Sequence, residues 1–231
     1  MGSFPSPAIA IALLVLCSPG CSSKREPAPV GTSDAQINEA APYLGEWLEL
    51  WQAALPGFQP ESLYAAEVSP LKRGPVQTLR DFIPAEAGDA AAFEVLSADS
   101  PDRRWKLVFD RYRSIEDEDG EVTVSGEPDS SPLLVDLRDS TVNQFAFCGT
   151  HCGFDWGVWI GPNRFVLAGW VELEAPETGY RGTMGVYSIT DSTLFNYHTR
   201  TVPASTYSRY RSAWEAWVSS KYQALRHRSP T

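Results

Sequence analysis

The chain is poor in cysteine and histidine, and this removes many chemistries before any motif is sought. Of 231 residues, four are Cys and three are His. The histidines stand apart at His151, His198 and His227. A Ser-His-Asp arrangement therefore has few places to form, and no G-x-S-x-G nucleophile elbow occurs. Neither a G-x-G-x-x-G fingerprint nor a phosphate loop is present. No cofactor is expected. Positive charge is also scarce: 19 Lys plus Arg stand against 29 Asp plus Glu, a net charge of −10. An acidic chain without a clustered basic face repels phosphate backbones, which excludes nucleic acid as a partner. The apolar run at residues 8–16 (A-I-A-I-A-L-L-V-L) is too short for a spanning helix, which needs about 20 residues. What remains is globular in composition, 43% hydrophobic and 12% aromatic.

The run at 8–16 sits where the apolar core of a secretory signal belongs. It is followed by Cys17 and then Ser18-Pro19-Gly20-Cys21. Small residues ahead of a cysteine, directly after such a run, resemble the lipobox of bacterial lipoproteins. The resemblance implies cleavage after Gly20 and a diacylglyceryl group on Cys21. Ser22 in the next position implies the outer membrane, facing the periplasm or the cell surface. Residues 22–32 (S-S-K-R-E-P-A-P-V-G-T) are polar, with two prolines and one glycine. That composition makes a tether. The expected organisation is a signal peptide over 1–20, a lipidated cysteine and flexible tether over 21–33, and a single globular domain over 34–228.

Within that domain both ends look helical and the middle looks like strands. Ser33 with Gln36 fits a capping box. Ile37, Ala41, Leu44, Leu48, Trp51 and Leu55 then follow at steps of four and three, an amphipathic stripe. Pro42 should divide it, leaving a helix over about 42–55 that ends at Pro56-Gly57. Tyr207, Tyr210, Trp214, Trp217, Val218 and Leu225 mark a second helix over 203–226. Each stripe suits packing on a sheet, or, at Trp47 and Trp51, docking of a partner. Strand signals cover 62–68, 92–98, 104–112, 121–125, 132–137, 141–147, 156–160, 164–173, 182–189 and 193–199. At 104–112 Trp105, Leu107 and Phe109 alternate with Lys106 and Asp110, as in a strand with one wet face. At 164–173 both parities are apolar, which predicts a strand covered on both faces. Asp191-Ser192 suits a two-residue hairpin turn.

Two short segments echo each other: Ser100-Pro101-Asp102-Arg103-Arg104-Trp105 and Gly161-Pro162-Asn163-Arg164-Phe165. The first resembles the S-P-D-G-x-[WYF] opening of β-propeller blades, with Arg103 in the glycine position. The β region is too short to close a propeller. The expected fold is mainly β (α+β), an antiparallel sheet assembly with propeller-like hairpins, flanked by an N-terminal and a C-terminal amphipathic helix.

The segment from Phe147 to Trp170 (F-C-G-T-H-C-G-F-D-W-G-V-W-I-G-P-N-R-F-V-L-A-G-W) concentrates the reactive residues. In an exported chain, Cys148 and Cys152 are most simply a disulfide, with Gly149 and Gly153 permitting the tight turn. Two other readings stay open. Cys148, His151 and Cys152 could ligate copper or zinc, with His198 as a fourth ligand, or form a thiol-redox pair. His151, Trp156 and Trp159 are candidate ligand-binding residues for a glycan or an apolar molecule, although core packing suits the tryptophans at least as well. The acidic run 116–121 (E-D-E-D-G-E) fails the EF-hand pattern and suits a solvated hairpin loop. Ser69-Pro70-Leu71-Lys72 has the S-x-x-K form without the K-T-G and S-D-N partners. The function expected is a lipid-anchored, non-enzymatic binding or assembly module of the cell envelope. Its partners would be the membrane, through its lipid, and an envelope protein or glycan. The alternative is a metal-binding or thiol-redox protein.

Overall fold

The computed structural model describes residues 34–71, 74, 76–78, 90–126, 128–174 and 178–227. The leader, Cys21, the tether, Ser33 and Lys72 of the S-x-x-K segment lie outside them. The first helix, α1 (Ala35–Ala40), is capped by Asp34, whose carboxylate accepts from the backbone N–H groups of Gln36 and Ile37. The same oxygen accepts from the Tyr197 hydroxyl at 2.9 Å. A short 3-10 turn (Ala41–Tyr43) carries Pro42 in its first turn, where the missing N–H costs little. Helix α2 (Gly45–Ala54) follows. Its buried residues are Trp47, Leu50, Trp51 and Ala54, whereas Leu48 and Leu55 only flank the core. Ile37, Leu44 and Trp51 of the expected stripe are buried, while Ala40, Trp47 and Ala54 take the places expected of Ala41, Leu48 and Leu55; burying Trp47 removes more apolar area from water than burying Leu48.

The chain then forms β1 (Tyr64–Pro70), β2 (Val76–Thr78), α3 (Ala90–Val95), β3 (Ser97–Asp99), β4 (Trp105–Val108), β5 (Arg113–Glu118), β6 (Glu121–Gly126), β7 (Leu133–Asp136), β8 (Thr141–Gln144), β9 (Cys152–Gly161), β10 (Arg164–Leu173), β11 (Gly179–Ser188) and β12 (Thr193–His198). Helix α4 (Ala204–Arg226) closes the fold. The strands make two antiparallel five-stranded sheets, in orders β1-β12-β11-β10-β9 and β2-β8-β7-β4-β3, plus the hairpin β5–β6. The fold is mainly β with a helix near each end, as the pattern predicted. Each large sheet contains a four-stranded meander, β9 to β12 in one and β3-β4-β7-β8 in the other, with β5–β6 inserted between β4 and β7.

Strand β10 shows how the layers stack. Val166 and Ala168 join the cluster beneath the helices. Phe165 and Leu167 join a second cluster with Trp105, Leu107 and Leu134 of the other sheet. Helices α2 and α4 cover one face of the first sheet, and the second sheet covers the other. Side by side, α2 and α4 stack Trp51 on Tyr210 at 4.5 Å. Arg209 of α4 donates to the Ala54 carbonyl at 2.9 and 3.2 Å, satisfying an orphan carbonyl at the end of α2.

Several sequence expectations are corrected. Residues 92–98 open as a helix: the alanines favour α3, and only Ser97–Asp99 is extended. Residues 104–112 are not one strand. Asp110 accepts from the Tyr112 and Ser131 backbone N–H groups and turns the chain between β4 and β5. Lys106 does not face water; it is buried and paired with Asp99 at 2.8 Å and Glu94 at 3.1 Å. The β11–β12 connection holds four residues, 189–192, with Ser192 at φ 52°. The propeller-like opening does form a turn. Ser100 Oγ donates to Asp102 at 2.7 Å and accepts from Trp105 N–H at 2.9 Å. Arg103 takes φ 54° in the position where blades have glycine. The acidic run forms the β5–β6 turn, with Asp119 at φ 54° and Gly120 at φ 89°, the geometry of a two-residue primed turn.

Candidate functional site

Cys148 and Cys152 are bridged, with Cα atoms 5.8 Å apart. Cys148 also exchanges both backbone hydrogen bonds with Ser130, at 2.8 and 2.9 Å. The 148–152 loop is therefore tied at one end to the segment before β7 and at the other to the start of β9. Sulfurs bonded to each other are neither thiolate ligands nor nucleophiles. Among the described residues no group of three or more His, Cys, Asp or Glu side chains is placed to hold a metal ion. His198 is engaged elsewhere: its ring stacks on Tyr64 and its Nδ1 lies 2.8 Å from the Thr199 carbonyl.

The predicted ligand-binding residues do not converge. Trp156 is 3% exposed and belongs to the helical cluster; Trp159 is 5% exposed and belongs to the inter-sheet cluster. They form no shared platform. His151 is 57% exposed, with Nδ1 3.0 Å from Glu172 Oε2. Glu172 also accepts from the Tyr180 hydroxyl at 3.1 Å. The hydrogen bond from His151, then that from Tyr180, holds the Glu172 carboxyl below its ordinary range. Burial, then Glu172, raises the Tyr180 pKa.

What the bridged loop does line is a cleft of about 300 Å³. Thr150 and Cys152 of the loop line it together with Asp129, Ser130, Trp170 and, from helix α4, Tyr207 and Arg211. A buried ionic cluster forms its base. Arg113 donates to Asp110 at 3.1 Å and pairs with Asp155 at 2.7 Å. Arg211 of α4 donates to the same Asp155 oxygen at 3.1 Å. Asp155 has no exposed side-chain surface, and Arg113 has 10%. Burial works to lower the pKa of Arg113, but the charges of Asp155 and Asp110 outweigh it and hold it above its ordinary value. Both guanidinium groups lie over the Trp214 ring, at 4.5 and 4.4 Å. The Trp214 indole N–H donates to the Asp155 carbonyl at 2.8 Å. Ser130 completes the base, donating to Asp110 at 2.6 Å and accepting from Phe154 N–H at 3.1 Å.

Asp155 reaches this cluster through a β-bulge. Ala168 pairs with Trp156 and Gly169 with Phe154, so Asp155 has no partner across β10. The extra residue lets Asp155 and Trp156 both face the helical layer. Opposite the bulge, a Cβ on residue 169 would fall inside the Gly153 carbonyl oxygen. Asp155 Oδ2 and the buried indole N–H of Trp170 lack partners among the described residues, and such atoms require an explanation. Sequence reasoning missed Arg113, Asp155, Trp170, Tyr207 and Arg211 as a group. The one local signal was a carboxylate inside an apolar strand, G-F-D-W-G-V-W-I. Comparison with known proteins gives no match: no family model, no curated protein and no solved structure matches the chain.

Proposed function

We propose that this chain is an exported cell-envelope protein, lipid-anchored through Cys21, whose β-rich domain is a non-enzymatic binding or assembly module. Its ligand seat is the cleft beside the Cys148–Cys152 bridge. The observation that carries this reading is the bridge itself, which borders the cleft in a chain that carries an apolar run at residues 8–16. Structural disulfides persist in oxidising compartments such as the periplasm. The cluster behind the cleft favours binding over turnover, because its arginines and carboxylates are engaged with one another. The partners proposed are the outer membrane, through the lipid, and a glycan or an envelope protein at the cleft.

Thiol titration with metal analysis of the full chain from membranes tests the module. No free Cys148 or Cys152 thiol and no bound metal is expected. Two free thiols with a bound ion would replace this reading by the metal-binding or thiol-redox one built on Cys148, His151 and Cys152. Intact mass tests the anchor: the expected chain starts at lipidated Cys21, and an unlipidated chain with another first residue would overturn it.

A further inference from the structure

We infer that the cleft between the 148–152 loop and helix α4 binds a saccharide through its hydroxyl groups, with Trp170 and Tyr207 against the sugar's C–H face. This rests on the binding-module reading and names its ligand class. The volume, about 300 Å³, lies at the small end of small-ligand sites.

The chemistry of the walls narrows the ligand. Arg113 and Arg211 carry two positive charges, and Asp110 and Asp155 match them at 2.7 to 3.1 Å. The base is therefore electrically balanced, and Asp129 on the rim adds a negative charge. A free inorganic anion gains nothing from such a site. A purely apolar ligand would strip water from these groups without replacing its hydrogen bonds. A hydroxyl both donates and accepts, so a polyol can answer donors and acceptors set side by side. Asp129 makes no hydrogen bond or ion pair among the described residues, which leaves its carboxylate to accept from sugar hydroxyls. Half-buried aromatics supply the remaining contact. Trp170 lies 4.8 Å from Tyr207, and Tyr207 stacks on Tyr180 at 4.1 Å, so the two aromatics of the cleft belong to a longer aromatic row.

The test is titration of the full chain in detergent with cellotriose, maltotriose, mannotriose and chitotriose at millimolar concentration. Tryptophan fluorescence and saturation-transfer NMR report binding. At least one sugar is expected to bind saturably. Asp129→Ala should weaken that binding on the order of tenfold, the loss of a hydrogen bond to a charged group, without moving Tm. Trp170→Phe should weaken it also; because Asp129→Ala removes no hydrogen bond or ion pair among the described residues, it decides the matter if Trp170→Phe folds poorly. Silence of all four sugars overturns the proposal, as does saturable binding untouched by Asp129→Ala. Binding of inorganic phosphate at the same site in competition overturns it in favour of an anion site. Silence of the panel, with the cysteines bridged and metal absent, leaves the binding-module reading standing. Release of new reducing ends would overturn the non-enzymatic reading and keep the saccharide site.

Discussion

Removing the Asp155 carboxylate tests whether the ionic cluster holds the sheet and helix together. In Asp155→Ala, Arg113 loses its 2.7 Å partner and keeps only Asp110 at 3.1 Å. Arg211 is 23% exposed and can turn toward Glu215, 3.6 Å away. The cost therefore falls on Arg113, which is 10% exposed and cannot shed its proton. Breaking a buried pair by deleting one partner costs about 3–5 kcal/mol. The surviving Asp110 contact sets the expectation at the lower end, about 3 kcal/mol. For a domain of this size that corresponds to a fall in Tm of about 6–12 °C. Urea unfolding and calorimetry at neutral pH would measure both. Arg113→Met alone in that background would strand the buried Asp110 carboxylate in turn, so Asp155→Ala is combined with Arg113→Met and Asp110→Asn, which removes the stranded charges on both sides and should recover most of the loss. A single-variant loss below about 1 kcal/mol, or a triple variant no more stable than the single, would refute the reasoning.

Three further outcomes follow from the geometry. Gly169→Ala should cost more than Gly157→Ala by urea unfolding, about 3 against about 1 kcal/mol. At 169 the obstacle is the Gly153 backbone, whereas at 157 a Cβ meets side-chain ends of Leu107 and Phe109 at 2.8 Å; the reverse order would show that β9 yields more easily than the inter-sheet core. Cys148→Ser with Cys152→Ser should lose only about 2 kcal/mol, since the bridge closes a very short loop, and amide exchange should show β9–β10 intact; unfolding of that hairpin would contradict a local role. Asp136 has its pKa lowered: burial opposes this, but the Arg138 backbone N–H and the Arg104 guanidinium outweigh it. Its contribution is therefore complete above the unfolded carboxylate value of about 3.9 and is lost as pH falls through the lower folded value. The unfolding free energies of wild type and Asp136→Asn, from urea titration, should differ by about 1 kcal/mol at neutral pH and converge in acid; a gap that persists at pH 2, roughly two units below that carboxylate value, would contradict the assignment.

The architecture was legible wherever burial and periodicity agreed. Strand β10 carries apolar residues at both parities because helices cover one face and a sheet the other. Helix α4 buries Tyr210, Trp214, Val218 and Tyr222 at steps of four, and its aromatic spacing shows it. Legibility failed where a tertiary partner overrode a local pattern. Lys106 has the place of a solvent-facing residue, yet Asp99 and Glu94 hold it inside. Strand β5 (R-S-I-E-D-E) has too little apolar content to be read as extended, and its pairing with β6 supplies what the sequence lacks. The cysteine pairing was readable because two cysteines four residues apart, flanked by glycines, can reach the Cα separation that a bridge requires.

The site was not legible because it depends on a bulge, and a bulge breaks the rule by which strands are read. Strict alternation along β9 would send Asp155 and Trp156 to opposite faces. A charge at Asp155 would then face the inter-sheet core, on the side where Gly157 meets Leu107 and Phe109. The extra residue turns Asp155 toward Arg211 while leaving Trp156 against the helices and Trp159 between the sheets. Gly169 is the other half of the device, since only a residue without Cβ admits the Gly153 carbonyl there. A carboxylate in an apolar strand paired with a glycine in the neighbouring strand is thus the sequence trace of this cluster. The bridged loop adjoins the bulge, with Cys152 opening β9 and facing Val171 of β10. Bridge, bulge and helix α4 therefore all adjoin the cleft, and the fold sets its lining before any ligand arrives.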